Sequence, residues 1–200
     1  MPDASLFHEH RVVVDHDGMA EFFPGFLAHG TAERFFAGMR DGLPWEQAEL
    51  VVFGRPVTEP RLSVWFAPEG MDYAYSGARR TAHRMPPLLE ELRLLVADVV
   101  GTPFNSALAN LYRTGGDSLG WHADDEECNG PEPVIASVSL GAERRFDLRH
   151  NATGETRSVL LPHGSLLVMS GPLQRHWKHR VPATRRVGSA RINVTFRLVS

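Results

Sequence analysis

A single cysteine, Cys128, leaves no partner for an intrachain disulfide, so packing alone must hold the 200-residue chain together. That suits a reducing compartment, and it removes any glycosylation message from the N-x-T triplets at Asn151 and Asn193. No apolar run approaches the roughly 18 residues of a membrane span, so no membrane partner is expected. The opening residues, MPDASLFHEH, lack a basic stretch followed by an apolar one. No secretory signal is therefore expected, and the expected location is cytoplasmic. A strong charge of either sign is missing too: 21 Lys+Arg against 24 Asp+Glu give a net charge of −3. Dedicated nucleic-acid binders are usually basic, so the global balance argues against one. Repeats, low-complexity tracts and long linkers are absent. One domain over residues 1–200 is expected, with a monomer as the default.

The charge that is present is unevenly placed. ARRTAHR (78–84) and QRHWKHRVPATRR (174–186) are basic, while acids gather at Asp15, Asp17 and residues 124–127. A basic rim around an acidic centre suits a polyanion whose reacting part enters a metal pocket. The alternative is two patches of solvated surface.

Secondary-structure signals divide the chain. Residues 11–14 (RVVV) read as a strand. Residues 30–40 read as a helix with Thr31 as N-cap and Phe35, Phe36 and Met39 on one face. Strand-like runs follow at 49–53, 61–66 and 71–75. Residues 86–101 form the clearest helix, starting at proline, ending at Gly101, with Leu88, Leu92, Leu95, Val96 and Val99 as its stripe. From Phe104 onward, short β-type runs alternate with Gly- and Pro-bearing turns, as in a sandwich, jelly roll or barrel. The expectation is α+β, mainly β, with N-terminal helices packed on a C-terminal double-sheet domain.

GWHADDEE (120–127) carries the chemical question. With 10 His and 24 Asp+Glu in the chain, chance supplies about one His-x-acid triplet, so the motif alone decides nothing. On an extended backbone, His122 and Asp124 share a face and can reach one cation. A second histidine from His150, His163, His176 or His179 would complete two imidazoles and a carboxylate, the facial set of non-haem Fe(II) oxygenases. Near the C-terminus, ARINVTFRLV places Ile192, Val194, Phe196 and Leu198 on one face and Arg191, Asn193, Thr195 and Arg197 on the other. The polar face lies either in water or inside a barrel. Inside, two guanidiniums would need carboxylate partners, which a dicarboxylate beside the metal would supply.

NLYRTGGDSLGWHADDE, IASVSLGAERRF, HGSLLVMSGPLQRHWKHRVP and RINVTFR, in this order, resemble the AlkB-type Fe(II)/2-oxoglutarate-dependent nucleic-acid dealkylases. VVFGRPVTEPR and MDYAYSG upstream are similar to the branch that repairs duplex DNA. The resemblance implies a double-stranded β-helix (jelly-roll) core over 104–200 and a β-rich nucleotide-recognition lid over 45–85. It implies Fe(II) on His122, Asp124 and His179, and 2-oxoglutarate held by Asn110, Tyr112, Arg191, Asn193, Thr195 and Arg197, with dioxygen as the second cosubstrate. For the substrate it implies Asp125 reading the exocyclic amine of the base, Tyr75 stacking on it, Tyr73 nearby, Phe53 as a wedge in the duplex and Arg61 at a phosphate. Trp121 and Trp177 flank presumed ligands, as iron shields or as packing. The implied partner is alkylated DNA, with RNA as the variant, and the implied reaction is oxidative demethylation of N1-methyladenine or N3-methylcytosine type bases. Two other readings stay open: a 2-oxoglutarate oxygenase acting on RNA, protein or a small molecule, and a cupin-like metal-binding module without turnover.

Overall fold

The computed structural model describes residues 10–200 apart from 53–54, 72 and 76–77, and gives the backbone alone at 50–52, 55–56, 73–75 and 78–80. In chain order the N-terminal half runs β1 (Arg11–Val14), β2 (Met19–Phe23), α1 (His29–Gly42), β3 (Glu49–Val52), β4 (Arg55–Thr58), β5 (Leu62–Phe66), β6 (Tyr73–Tyr75), β7 (Ala78–Arg80) and α2 (Pro87–Val100). The second half runs β8 (Ser106–Tyr112), β9 (Leu119–His122), β10 (Ile135–Gly141), β11 (Arg144–His150), β12 (Thr156–Leu161), β13 (Ser165–Ser170), α3 (Leu173–His176), β14 (Trp177–Val181) and β15 (Arg191–Arg197).

The strands of the second half divide between two antiparallel sheets. The larger has the order β1-β2-β13-β10-β15-β8-β5 and the smaller β12-β11-β14-β9, so the chain crosses repeatedly from one sheet to the other, as in a jelly roll. Two hairpins, β3–β4 and β6–β7, stand apart as small sheets of their own.

Strand parity decides what each face of the larger sheet meets. One face, with Ala109, Val138, Val194 and Phe196, packs against Phe35 and Met39 of α1 and Leu89, Leu92 and Val96 of α2. The opposite face looks into the space between the sheets. One part of that space is apolar, filled by Phe22, Leu148, Leu161, Leu167 and Trp177. The other part is polar and holds the site. Both faces of β15 are therefore buried, and its polar face does not lie in water. Leu198 falls beyond the strand and is 46% exposed, so it does not share the apolar face.

Two helix details differ from the sequence reading. α1 begins at His29 after Ala28, with no side-chain cap, so Thr31 lies inside the helix. In α2 the buried residues are Leu89, Leu92 and Val96, at i, i+3 and i+7, whereas Leu95 is 39% exposed. Apolar residues cover more than half of this helix, and the sheet takes the stripe centred on Leu92. At the tip of the β1–β2 hairpin, Asp17 and Gly18 both have positive φ (51° and 124°). A Cβ on Gly18 would lie 2.4 Å from the Cα of Leu173, so α3 can pack there only against glycine. No described helix is long and apolar enough to cross a membrane.

Candidate metal and cosubstrate site

Antiparallel pairing of β9 with β14 makes His122 and His179 register partners, with ring centroids 4.2 Å apart. Asp124 follows two residues after His122, and one ligand atom from each of the three lies within 4.8 Å of the others. The carboxylate is positioned from both sides. Gln174 Oε1 accepts the Asp124 backbone N–H at 3.0 Å, and Arg197 Nη2 donates to Asp124 Oδ2 at 2.8 Å. His122 Nδ1 lies 2.8 Å from the Gly120 carbonyl, which can only accept. Nδ1 therefore carries the proton, and Nε2 is the unprotonated nitrogen, 3.8 Å from Asp124 Oδ1.

Electrostatics favour a metal-ready state. Burial pushes the His179 pKa down to about 3, helped by His122 and opposed by Asp124. Burial lowers His122 as well. Both rings are thus neutral donors at ordinary pH. Burial, the largest single influence, would raise the Asp124 carboxyl, but Arg197, His179 and His122 together outweigh it and hold the carboxyl well below its usual range. Two neutral imidazoles and one anion on one side of a cavity suit a divalent cation with open positions.

Beside the three lies a second deficit. Arg191 is 1% exposed; its Nη2 donates to Ser139 Oγ at 2.9 Å, while Nε and Nη1 have no hydrogen-bond partner among the described residues. Burial pulls its pKa down to about 10, against the opposing influence of Tyr112, whose ring lies under the guanidinium with its centroid 5.2 Å away. A buried cation with two idle donors costs several kcal/mol unless an anion joins it. Arg197 differs: its carboxylate partner is Asp124, so the two arginines do not stand equivalent. Asn110, Tyr112, Asn193 and Thr195 line the same cavity. Asn193 is spent on the protein: Nδ2 donates to Ser137 Oγ at 2.7 Å, and Oδ1 accepts from Thr195 at 3.1 Å. The residues present fit a dicarboxylate at Arg191 next to a metal at the triad.

The chain matches the model of the 2OG-Fe(II) oxygenase superfamily over residues 19–197. It is 38% identical over 201 residues to the "DNA oxidative demethylase ALKBH2" of Arabidopsis thaliana, covering 87% of this chain and 64% of the relative. To the human "Alpha-ketoglutarate-dependent dioxygenase alkB homolog 3" it is 34% identical, covering 94% of this chain and 72% of the relative. The chain belongs to the AlkB family of 2OG-Fe(II) oxygenases. A solved structure, "The structure of OsALKBH1", shares the fold with a TM-score of 0.62 at 17% identity, over 94% of this chain and all of that one.

The other expected site residues of this AlkB-family chain are placed variously. Asp125 is exposed, one residue beyond Asp124. Tyr73 and Tyr75 sit on β6, with side chains outside the description, and Phe53 lies outside the described residues. Arg61 is not at the surface. It is 3% exposed, lines the cavity, and donates from Nε to Asn110 Oδ1 at 2.8 Å and from Nη2 to Glu59 Oε1 at 3.2 Å. A guanidinium committed to two interior acceptors is not a phosphate contact. Trp121 packs against the Arg149 and Arg180 guanidiniums, each 4.4 Å from a ring centroid, on the face of β9 opposite His122. Trp177 is fully buried and donates to the His16 carbonyl at 3.2 Å, a packing role.

Sequence reasoning missed Gln174, Ser137, Ser139 and Glu59. The two serines had a legible signal, since they alternate with apolar residues in IASVSLG. Gln174 and Glu59 had none. A second His-Asp-His group, Asp17, His150 and His176, also brings its ligand atoms within 4.8 Å of one another. There the Thr153 backbone N–H donates to His150 Nδ1 at 3.2 Å, so Nε2 carries the proton and donates to Asp17 Oδ2 at 3.1 Å.

Proposed function

We propose that this protein removes alkyl groups from nucleobases in DNA by oxidation, coupled to conversion of 2-oxoglutarate to succinate. The reading is carried by one juxtaposition: the idle donors of buried Arg191 in the same cavity as His122, Asp124 and His179. A metal-binding module without turnover has no use for that arginine. The plant relative is named a DNA oxidative demethylase and the human one an alpha-ketoglutarate-dependent dioxygenase, which supports the substrate and the cosubstrate of this reading respectively.

His122, Asp124 and His179 would hold Fe(II), and Arg191, Asn110 and Tyr112 would hold the diacid. When bound, this pair supplies dioxygen activation and hydroxylation of an N-alkyl group, which leaves as formaldehyde. The chain's own residues orient and exclude. Arg197 fixes the Asp124 carboxylate, Gln174 fixes its backbone, and Phe146, Leu119 and Val181 line the cavity with apolar surface. A base in a duplex must leave the stack to reach the site, at a cost of about a few kcal/mol that is smallest when pairing is already broken. Methylation at adenine N1 or cytosine N3 breaks pairing. In this reading residues 45–85 form the recognition lid, with Tyr75 stacking on the base, Tyr73 beside it and Phe53 filling the gap it leaves. Asp125, exposed next to the triad, favours the cationic methylated base by charge.

The test is formaldehyde release from N3-methylcytosine oligonucleotides, single- and double-stranded, with Fe(II) and 2-oxoglutarate. Release that stops when either is omitted is expected. No release from DNA, with release from a methylated RNA or peptide, would move the substrate elsewhere in the superfamily. Asp125→Ala is expected to lose preference for the methylated base while metal binding survives, as measured by competition between methylated and plain oligonucleotides.

A further inference from the structure

Among the described residues, three guanidiniums line the cavity: Arg61, Arg191 and Arg197. Arg197 is matched by Asp124, and Arg191 awaits an anion. Arg61 is matched by Glu59, which is 0% exposed and also accepts from Ser63 Oγ at 3.4 Å. Burying such a pair is expensive, and an apolar pair of similar volume would serve stability as well or better. The pair needs another reason to be there.

The bond from Arg61 Nε to Asn110 supplies it. An arginine N–H can only donate, so the Asn110 atom that faces it at 2.8 Å must be the carbonyl oxygen Oδ1. That fixes the amide. Nδ2 is turned the other way, and no described residue accepts from it. Asn110 is 2% exposed and lines the cavity beside Tyr112 and Arg191. Left alone, a buried amide can present either its oxygen or its nitrogen. Presenting oxygen would repel a carboxylate; presenting nitrogen gives it a donor. Arg61 in turn is fixed by Glu59, whose backbone is held by the Ala48 carbonyl at 2.9 Å and by Gln47 Nε2 at 2.9 Å.

We propose that Arg61, held by Glu59, is a positioning residue for the cosubstrate: it locks the Asn110 amide with its donor facing the dicarboxylate. The inference rests on the reading of this cavity as the 2-oxoglutarate site. It assigns Arg61 to the cosubstrate and not to the nucleic acid.

The experiment follows binding, with Mn(II) in place of Fe(II) and 2-oxoglutarate as the probe, by thermal shift and calorimetry. Wild type should be stabilised by 2-oxoglutarate as its concentration rises. Glu59→Leu/Arg61→Met removes both charges together and avoids a lone buried one. Its affinity for 2-oxoglutarate should fall about tenfold, the scale of a lost hydrogen bond to a charged group. Adding Asn110→Ala to it should cost little more than Asn110→Ala alone, because both changes remove one pathway. In turnover, KM for 2-oxoglutarate should rise while KM for the oligonucleotide holds. If the paired replacement does not fold, Arg61→Lys reads the same way, since it keeps the charge beside Glu59 but lacks the planar fork that serves two acceptors. Unchanged 2-oxoglutarate affinity, or full additivity with Asn110→Ala, would overturn the positioning role. Failure of wild type to bind 2-oxoglutarate would instead overturn the reading of the cavity.

Discussion

Two groups in this molecule have the same ligand composition and opposite character. His122, Asp124 and His179 are gathered between the sheets; Asp17, His150 and His176 are gathered where the β1–β2 hairpin meets β11 and α3. In each, two imidazoles and a carboxylate bring ligand atoms within 4.8 Å. The difference lies in which ring nitrogen carries the proton. His122 donates its Nδ1 proton to the Gly120 carbonyl, so the nitrogen it turns to Asp124 is the unprotonated Nε2. His150 accepts the Thr153 N–H on Nδ1 and spends its Nε2 proton on Asp17, so no lone pair is left for a cation. The first group suits a divalent cation. The second is a pin that ties the strained Asp17 turn to β11. Composition and proximity do not make a metal site; the hydrogen bonds of His122 and His150 tell the two groups apart.

The largest expected effect separates the two directly. His179→Ala should abolish formaldehyde release, because one of three ligands is lost. His150→Ala should leave turnover unchanged and lower stability by about 1–3 kcal/mol, since the Asp17 carboxylate and the Thr153 N–H lose their partner. Denaturant unfolding beside the formaldehyde assay reads both.

The next pair contrasts the two buried arginines. Arg197→Met strands the Asp124 carboxylate and should cost about 3–5 kcal/mol in the metal-free protein. Arg191→Met removes a cation that has no counter-ion, so the metal-free Tm should hold or rise while 2-oxoglutarate binding is lost. A fall in Tm for Arg191→Met would mean that the protein's own contacts to the guanidinium, such as Ser139, outweigh the cost of burying it. A smaller effect is expected at Gln174, which holds the ligand backbone: Gln174→Ala should weaken metal binding by about tenfold or more without changing the fold. Metal titration followed by circular dichroism checks both parts.

The smallest effect is a pH slope. His179 is held near 3 when folded, against an ordinary 6.5, so the unfolded chain binds the extra proton first. The contribution to stability is fully present above pH 6.5 and is lost progressively as pH falls towards about 3. The Tm of metal-free protein should drop over that range, and His179→Ala should flatten the slope.

Much of this was legible because period-2 alternation survives burial. RINVTFR separates its two faces by parity alone, and the family resemblance said which face meets the diacid. Parity could not say that the polar face is enclosed, since an amphipathic strand in water reads the same. It could not assign Arg197 to Asp124 either, because the pairing joins residues 73 apart. WKHRV was read as a basic run, yet it is β14, with Trp177, His179 and Val181 inward and Lys178 and Arg180 outward. Its charges sit on one face and hide the strand from a composition count. Arg61 was misplaced for a related reason: from sequence, an arginine beside a recognition hairpin reads as a phosphate contact. Only tertiary structure sets Glu59 and Asn110 beside it.

The most direct measurement is an anaerobic titration of the Fe(II)-loaded protein with 2-oxoglutarate, followed by visible absorbance and iron content. One iron per chain, with a charge-transfer band that saturates at one 2-oxoglutarate and vanishes in Arg191→Met, is the expected result. Iron that survives His179→Ala but is lost in His150→Ala, or a wild-type protein that shows no band, would contradict the account.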